Sequence, residues 1–415
     1  MYFYKYQKPG NLELNMLRRG EIFFASVGEL NDASECRPRF VLNGTKELWT
    51  RLAQFILEEV CLRLDTHERM NRDEIRKLLG LSSSLGSLLK KHVRNLDFGL
   101  ENLDALFRQV LADALQDNVS ALRSQLILDS SREIIRREIP RLLREPTYIT
   151  SFSKNAKNPT MWGHYADAER GFVIVYSTDD RTIGVCSPIK MLHGTRPLGE
   201  DQIGDYEIGI YDEDRLELKT VKYGRKPPKA NAFHRLIPRF SYTEAEDHYD
   251  VPLLLGGDAK DKEENQVGLI KYSDWKYEQE IRAFLPAYGT LPPDVRVLRV
   301  SLENIRGIIF GPQMSNQDKD RVILCCHLMR ESSAIPDGQS LPEFAFFQAS
   351  QLLDRFDFQI SPVGVLDGLY FGDGLPIKLM KDVDETTARA LRKMSEEIEN
   401  GLQESSVETN RVCQE

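Results

Sequence analysis

About one hundred consecutive residues, 45 to 146, carry apolar side chains at helical spacing, and strand-like sequence lies on both sides of them. Trp49, Leu52, Ile56 and Val60 fall three or four apart, as do Leu103, Leu106, Val110 and Leu111. A serine-rich turn, Leu81–Gly86, is expected to divide the block. Basic and acidic residues nearly cancel there, the pattern of solvated helix faces rather than of a nucleic-acid arm. A chain with this order folds as α+β: a mixed central sheet interrupted by an all-helical insertion.

The flanks carry the strand signals. Tyr2, Tyr4 and Tyr6 alternate in an opening strand. Leu12, Leu14 and Leu17 predict a short helix that Gly20 ends, and Glu21–Ser26 (EIFFAS) predicts a second strand before a turn at Asn31-Asp32. Later strands are expected at Tyr148–Ser153, Gly171–Tyr176, Arg215–Tyr223, Trp275–Leu285, Arg296–Ser301 and Gly307–Phe310. Thr160 is expected to cap a short helix bearing Trp162, His164 and Tyr165. An acidic loop is expected over about 240–268, an amphipathic helix over Glu385–Leu402, and a disordered end after it. The organisation is therefore 1–44, first part of the α+β core; 45–146, helical insertion or lid, a surface for a protein partner; 147–362, main part of the core; 363–415, a tail with one helix.

Composition excludes several classes. No run of 18 apolar residues appears, so no membrane span is expected. The first fifteen residues lack the pattern of a secretory signal. The six cysteines form no CxxC pair and no zinc-type spacing, which fits reduced thiols in a cytoplasm and no metal centre. The net charge of −9 argues against wholesale wrapping by nucleic acid. One segment runs against that balance. Between Leu218 and Thr243 no acidic residue occurs, while Lys219, Lys222, Arg225, Lys226, Lys229, Arg235 and Arg239 alternate with Tyr223, Phe233, His234, Phe240 and Tyr242. Such a segment suits phosphate contact, with Lys222, Arg225, Lys226 and Lys229 as the candidates, or pairing with neighbouring carboxylates.

Four groups of residues carry a family resemblance. They are the opening YKY with Gly20, FFAS, Asn31, Asp32 and Glu35; SFS at 151–153 with Met161-Trp162, His164-Tyr165-Ala166 and Gly171-Phe172; Lys271 with Trp275, Tyr277-Glu278, Glu280 and Arg282; and Ile309–Pro312. In order and spacing the chain resembles the domain of unknown function 2971 family. It departs from that pattern where Ala33 and Ser34 stand in place of Pro-Phe, which leaves the turn less rigid. The resemblance places the chain among bacterial proteins found near mobile elements, and so implies a toxin or phage-defence effector.

Ser151-Phe152-Ser153 followed by Glu278-Gln279-Glu280 also resembles the serine and glutamate motifs of the ADP-ribosyltransferases, with Tyr4 or Tyr6 in place of the initial arginine. That resemblance implies NAD as a substrate and a macromolecule, nucleic acid or protein, as acceptor. Glu280 would stabilise an oxocarbenium-like transition state, and Glu278 would orient or deprotonate the acceptor. Ser151 would position the ribose or Glu280, and a tyrosine would stack on nicotinamide. Ser153, Trp162, His164, Tyr165, Trp275, Tyr277, Arg282, Asn31, Asp32 and Glu35 are candidate substrate-binding residues. Each has a plainer reading: Trp162 and Tyr165 as core, His164 as a helix-end residue, Asp32 and Glu35 as helix caps. Strand alternation would set Glu278 and Glu280 on one face beside Lys276 and Arg282, a pattern that also suits cross-strand salt bridges. Two alternatives stand beside the transferase. One is a metal-dependent nuclease or phosphoesterase using Asp32, Glu35, Glu278, Glu280 and His164. The other is a non-enzymatic sensor or binding protein.

Overall fold

The computed structural model describes residues 1–32, 34–68, 70–93, 97–115, 120–144, 147–186, 192–199, 202–208, 214–240, 267–287, 290–331, 341–367 and 374–400. The expected acidic loop at 240–268 and the chain end lie almost wholly outside them. The fold is α+β. Its contacts divide it into two compact units, one of residues 1–33, 146–223 and 272–415, the other of residues 34–145 and 224–271. Residues 224–271, which the sequence places with the sheet, thus belong to the helical unit.

The first unit is built on a mixed sheet. Its strand order is Lys219–Thr220, Glu280–Leu285, Tyr148–Ser153, Tyr2–Gln7, Phe172–Ser177, Ile305–Phe310, Ala345–Gln351, Phe358–Leu366 and Ile377–Leu379. Only the pairing of Ile305–Phe310 with Ala345–Gln351 is recorded as parallel in this sheet; the other described pairs are antiparallel. Alternation sends successive side chains into two different cores. Phe3, Phe152, Phe172, Ile174, Ile281 and Ile308 fill one face. Tyr4, Tyr6, Val173, Val175 and Ile309 fill the other, with Trp162 of the helix Pro159–Tyr165 and Leu391 and Met394 of the helix Glu385–Asn400.

Several local expectations change. The stretch Glu21–Ser26 is two strands, because Phe24 breaks the run by donating its amide to Arg296 O at 2.9 Å. Glu21–Phe23 joins a separate four-stranded sheet, and Ala25–Ser26 pairs with Tyr148–Ser153. The helix Asn11–Arg19 ends on Gly20, whose φ of 65° is the left-handed conformation glycine adopts without strain. Asn158, not Thr160, caps the helix Pro159–Tyr165: its side chain accepts from Thr160 N at 2.8 Å.

In the second unit, the helices Lys46–Glu68, Ser82–His92 and Leu103–Leu115 bury Trp49, Leu52, Ile56, Val60, Leu103, Val110 and Leu111 together with Phe233 and Leu236 of the helix Ala232–Phe240. The serine-rich stretch after Leu81 is helical rather than a turn. Gly86 within it approaches Thr50 so closely that a Cβ there would stand 2.4 Å from Thr50 Cα. The strands Arg39–Val41 and Lys229–Asn231 pair in parallel beside this core.

Candidate functional site

Pairing in the first unit sets Tyr4, Ser153 and Glu280 in one row across three neighbouring strands. Arg282 stands opposite Ser151 one step along, and Tyr6 shares the face of Tyr4 by alternation. The motif residues of three distant segments thus meet on a single sheet face.

Their side chains have unequal roles. Tyr4 is 1% exposed and Tyr6 8%, both inside the core. Tyr6 meets Trp162 edge-on at 5.3 Å and donates its hydroxyl to Asn155 O at 2.8 Å. Burial raises the pKa of both phenols. Packed this way, neither ring is placed to stack on nicotinamide as expected. Trp162 is likewise core, fully buried with Nε1 donating to Ala156 O at 2.7 Å. Glu280 and Arg282 are both buried and joined as a fork: Nε reaches Oε1 at 2.7 Å and Nη2 reaches Oε2 at 2.8 Å. The paired planar geometry is the strong form of such a contact.

Glu278 departs from the expected strand. Residues Ser273–Glu278 form a 3-10 turn, Gln279 follows at φ 45° and ψ 53°, and the strand begins only at Glu280. The left-handed residue breaks the period-two alternation. Hydrogen bonds anchor the turn from behind. Ser153 Oγ donates to Glu278 O at 2.7 Å, Asn158 Nδ2 donates to Tyr277 O at 3.1 Å, and Lys154 N donates to Gln279 O at 2.9 Å. The buried Glu278 carboxylate accepts the Tyr165 hydroxyl at 2.6 Å, and Asn31 Nδ2 donates to that hydroxyl at 3.4 Å. His164 Nδ1 lies 3.1 Å from Tyr277 Oη, and the Trp275 and Tyr277 rings are 6.1 Å apart. Sequence-expected residues from three segments, Asn31, His164-Tyr165 and Trp275–Glu278, therefore gather around one turn.

Other groups complete the surroundings. Glu280 N donates to Tyr223 Oη at 2.8 Å, and Val221 N donates to Glu280 O at 3.0 Å. Lys5, which the sequence reading quoted within YKY without a site role, donates Nζ to Thr150 Oγ1 and to Ser151 O, each at 3.0 Å. Burial pushes its amine down to about 8, opposed by the nearby Glu280 carboxylate. Lys5 stands within the YKY motif between two tyrosines and was not singled out, whereas Asn155 and Asn158 could have been found from the turn chemistry of SFSKNAKNPT.

Some candidates fall elsewhere. Glu35 belongs to the helical unit, where its carboxylate is buried 2.7 Å from Lys271 Nζ. Asp32 follows the Asn31 bend in the first unit. The basic segment is divided between the two units. Lys222 is exposed in the first unit, while Arg225, Lys226 and Lys229 belong to the second. Lys229 pairs with Asp97 at 2.8 Å and Arg235 donates to Leu143 O at 2.6 Å. Phe233 and His234 are buried rather than offered for stacking. The neighbouring carboxylates of the expected acidic loop, at 244–250, lie outside the described residues.

Among the described residues no group of three or more His, Cys, Asp or Glu side chains is arranged to hold a metal ion. Two of the five residues of the nuclease alternative, Glu35 and Glu280, are paired with cationic side chains. No described helix is long and apolar enough to cross a membrane. Neither the curated proteins nor the solved structures contain a match. One family does match, and its match spans His164, Tyr165, Trp275, Tyr277, Glu278, Glu280 and Arg282: over residues 161–283 the chain fits the family described as Protein of unknown function (DUF2971).

Proposed function

We propose that the chain transfers ADP-ribose from NAD to a macromolecular acceptor. The observation that carries this reading is the row Tyr4–Ser153–Glu280, which sets a carboxylate and a serine side by side on one sheet face, with Glu278 in the turn just before it. In this reaction the bond from ribose C1′ to the nicotinamide nitrogen breaks, and nicotinamide leaves with the bonding pair. Positive charge grows on C1′ and the ring oxygen, and Glu280, held in orientation by the Arg282 fork, stabilises it. The acceptor's O–H or N–H attacks C1′, and its proton passes to Glu278. The serine that matters differs from the one the resemblance implies: Ser153 holds the Glu278 carbonyl, whereas Ser151 faces Arg282.

The test is release of nicotinamide from NAD by the purified full chain, with a cell extract as the source of acceptor. Glu280→Gln is expected to lower the rate by about 10²-fold or more. Because this change leaves Arg282 without its carboxylate, thermal melting must show that the variant is folded. Glu278→Gln, which spares the fork, provides the second arm. Wild-type turnover in both folded variants would end the reading.

One observation favours the second reading, a binding protein without catalysis. A buried, bidentate Glu–Arg pair can serve only to fix the edge of a sheet. Retained biological function in Glu278→Gln together with absence of NAD turnover would favour it.

A further inference from the structure

We infer that the hairpin tip Leu353–Phe356 is a self-association surface that joins two copies of this chain across a two-fold axis. The tip connects the strands Ala345–Gln351 and Phe358–Leu366. Leu353 is fully exposed and Phe356 94% exposed, more than any other large apolar side chain described. Asp354 and Arg355 stand exposed between them, and among the described residues neither side chain forms a hydrogen bond or an ion pair.

The base of the tip is firmly held, so this exposure is a built feature. Leu352 N donates to Asp357 O at 3.0 Å and closes a four-residue loop. Asp357 Oδ1 accepts Phe358 N at 3.0 Å, and Asp357 Oδ2 pairs with Lys157 Nζ at 3.5 Å. Phe358 is buried, with its ring 6.1 Å from that of Trp162. The core therefore takes Phe358 and leaves Leu353 and Phe356 in water, where contact with another apolar surface is favourable.

The order of the four residues selects the occupant. Leu-Asp-Arg-Phe reads apolar, acid, base, apolar. In a two-fold contact residue i meets residue j and j meets i. Two such loops crossing antiparallel bring Leu353 of each copy against Phe356 of the other, and Asp354 of each against Arg355 of the other. The tip is thus its own complement in apolar surface and in charge. A lipid surface fits less well. Asp354 and Arg355, with the paired Asp357 and Lys157, leave the tip without net charge, so an anionic leaflet has nothing to attract. Four side chains cover less than the roughly 800 Å² per partner of a stable interface, so the association is weak and reversible. None of this depends on the transferase reading.

Sedimentation velocity of the full chain from about 5 to about 500 µM, a span suited to a weak interface, provides the test. The sedimentation coefficient is expected to rise from that of a monomer toward that of a dimer. Leu353→Ser with Phe356→Ser should remove the rise; both positions are exposed, and thermal melting verifies that the fold is kept. Asp354→Arg alone and Arg355→Asp alone set like charges opposite one another, and each should weaken association about tenfold. The double variant carrying both changes should regain it, and so should an equal mixture of the two single variants. A coefficient that stays monomeric throughout overturns the inference, whether or not the tip then binds phosphatidylcholine–phosphatidylglycerol vesicles or another protein. A dimer that survives the two serine substitutions overturns it as well, as do single charge variants whose mixture associates no better than either alone.

Discussion

The Glu280 carboxylate and the Arg282 guanidinium, two residues apart on one strand, form a two-bond fork at 2.7 and 2.8 Å with both side chains buried. Its energetics are asymmetric. Removing only Arg282 takes both fork bonds from a buried carboxylate, so Arg282→Met is expected to destabilise the chain by about 3–5 kcal/mol. Replacing both partners removes the desolvation cost as well. The double variant Glu280→Met, Arg282→Met should therefore recover much of that loss. Urea unfolding of the two variants measures the difference.

Ser153 secures the turn that carries Glu278. Its hydroxyl donates to Glu278 O at 2.7 Å and accepts Asn155 N at 3.0 Å, and it is 1% exposed. Ser153→Ala takes the hydroxyl away from Glu278 O and Asn155 N, at a cost of about 1–3 kcal/mol. Hydrogen exchange should quicken at residues 277–280 before it quickens in the central strands. Unchanged exchange there would show that the turn holds without the serine.

Acid should act through Glu29. Arg296, held over the Phe23 and Tyr148 rings, donates to this carboxylate at 2.6 Å and keeps it near 2, below its ordinary 4.5. A depressed carboxylate stabilises the folded state above its unfolded pKa, and that contribution fades as pH falls from about 4.5 toward 2. Glu29→Gln should thus be less stable than wild type at pH 6, and the gap should narrow by pH 3. Denaturant midpoints at the two pH values test the sign.

Gly86 should tolerate no side chain. A Cβ there meets the Thr50 backbone at 2.4 and 2.5 Å, where neither helix can yield by turning a rotamer. Gly86→Ala is expected to cost roughly 1–3 kcal/mol despite the better helix propensity of alanine. Thermal melting of the variant checks this.

The sheet was legible where strands carried alternation or short apolar runs. In Tyr2–Gln7 the alternating tyrosines carry that period, whereas Phe172–Ser177 was legible as an apolar run buried on both faces. The turn at Ser273–Glu278 was not legible, because it depends on Gln279 adopting a left-handed conformation that nothing in its side chain announces. The gathering of Asn31, Tyr165 and Glu278 was half legible: the residues stood out, yet contacts across more than a hundred positions leave no local pattern. In the basic run at 219–239 the charge was legible, whereas Asp97, the partner of Lys229, lay far away in sequence.

The helical unit is closed by a visiting piece of chain. Phe233 sits edge-on to Trp49 at 5.4 Å, and Leu236 is fully buried in the same core. Anyone trimming the protein to its sheet must therefore cut twice. Excising residues 34–145 alone would strand the helix Ala232–Phe240 with its oily side turned to water, a handle for aggregation and proteolysis rather than a minimal domain.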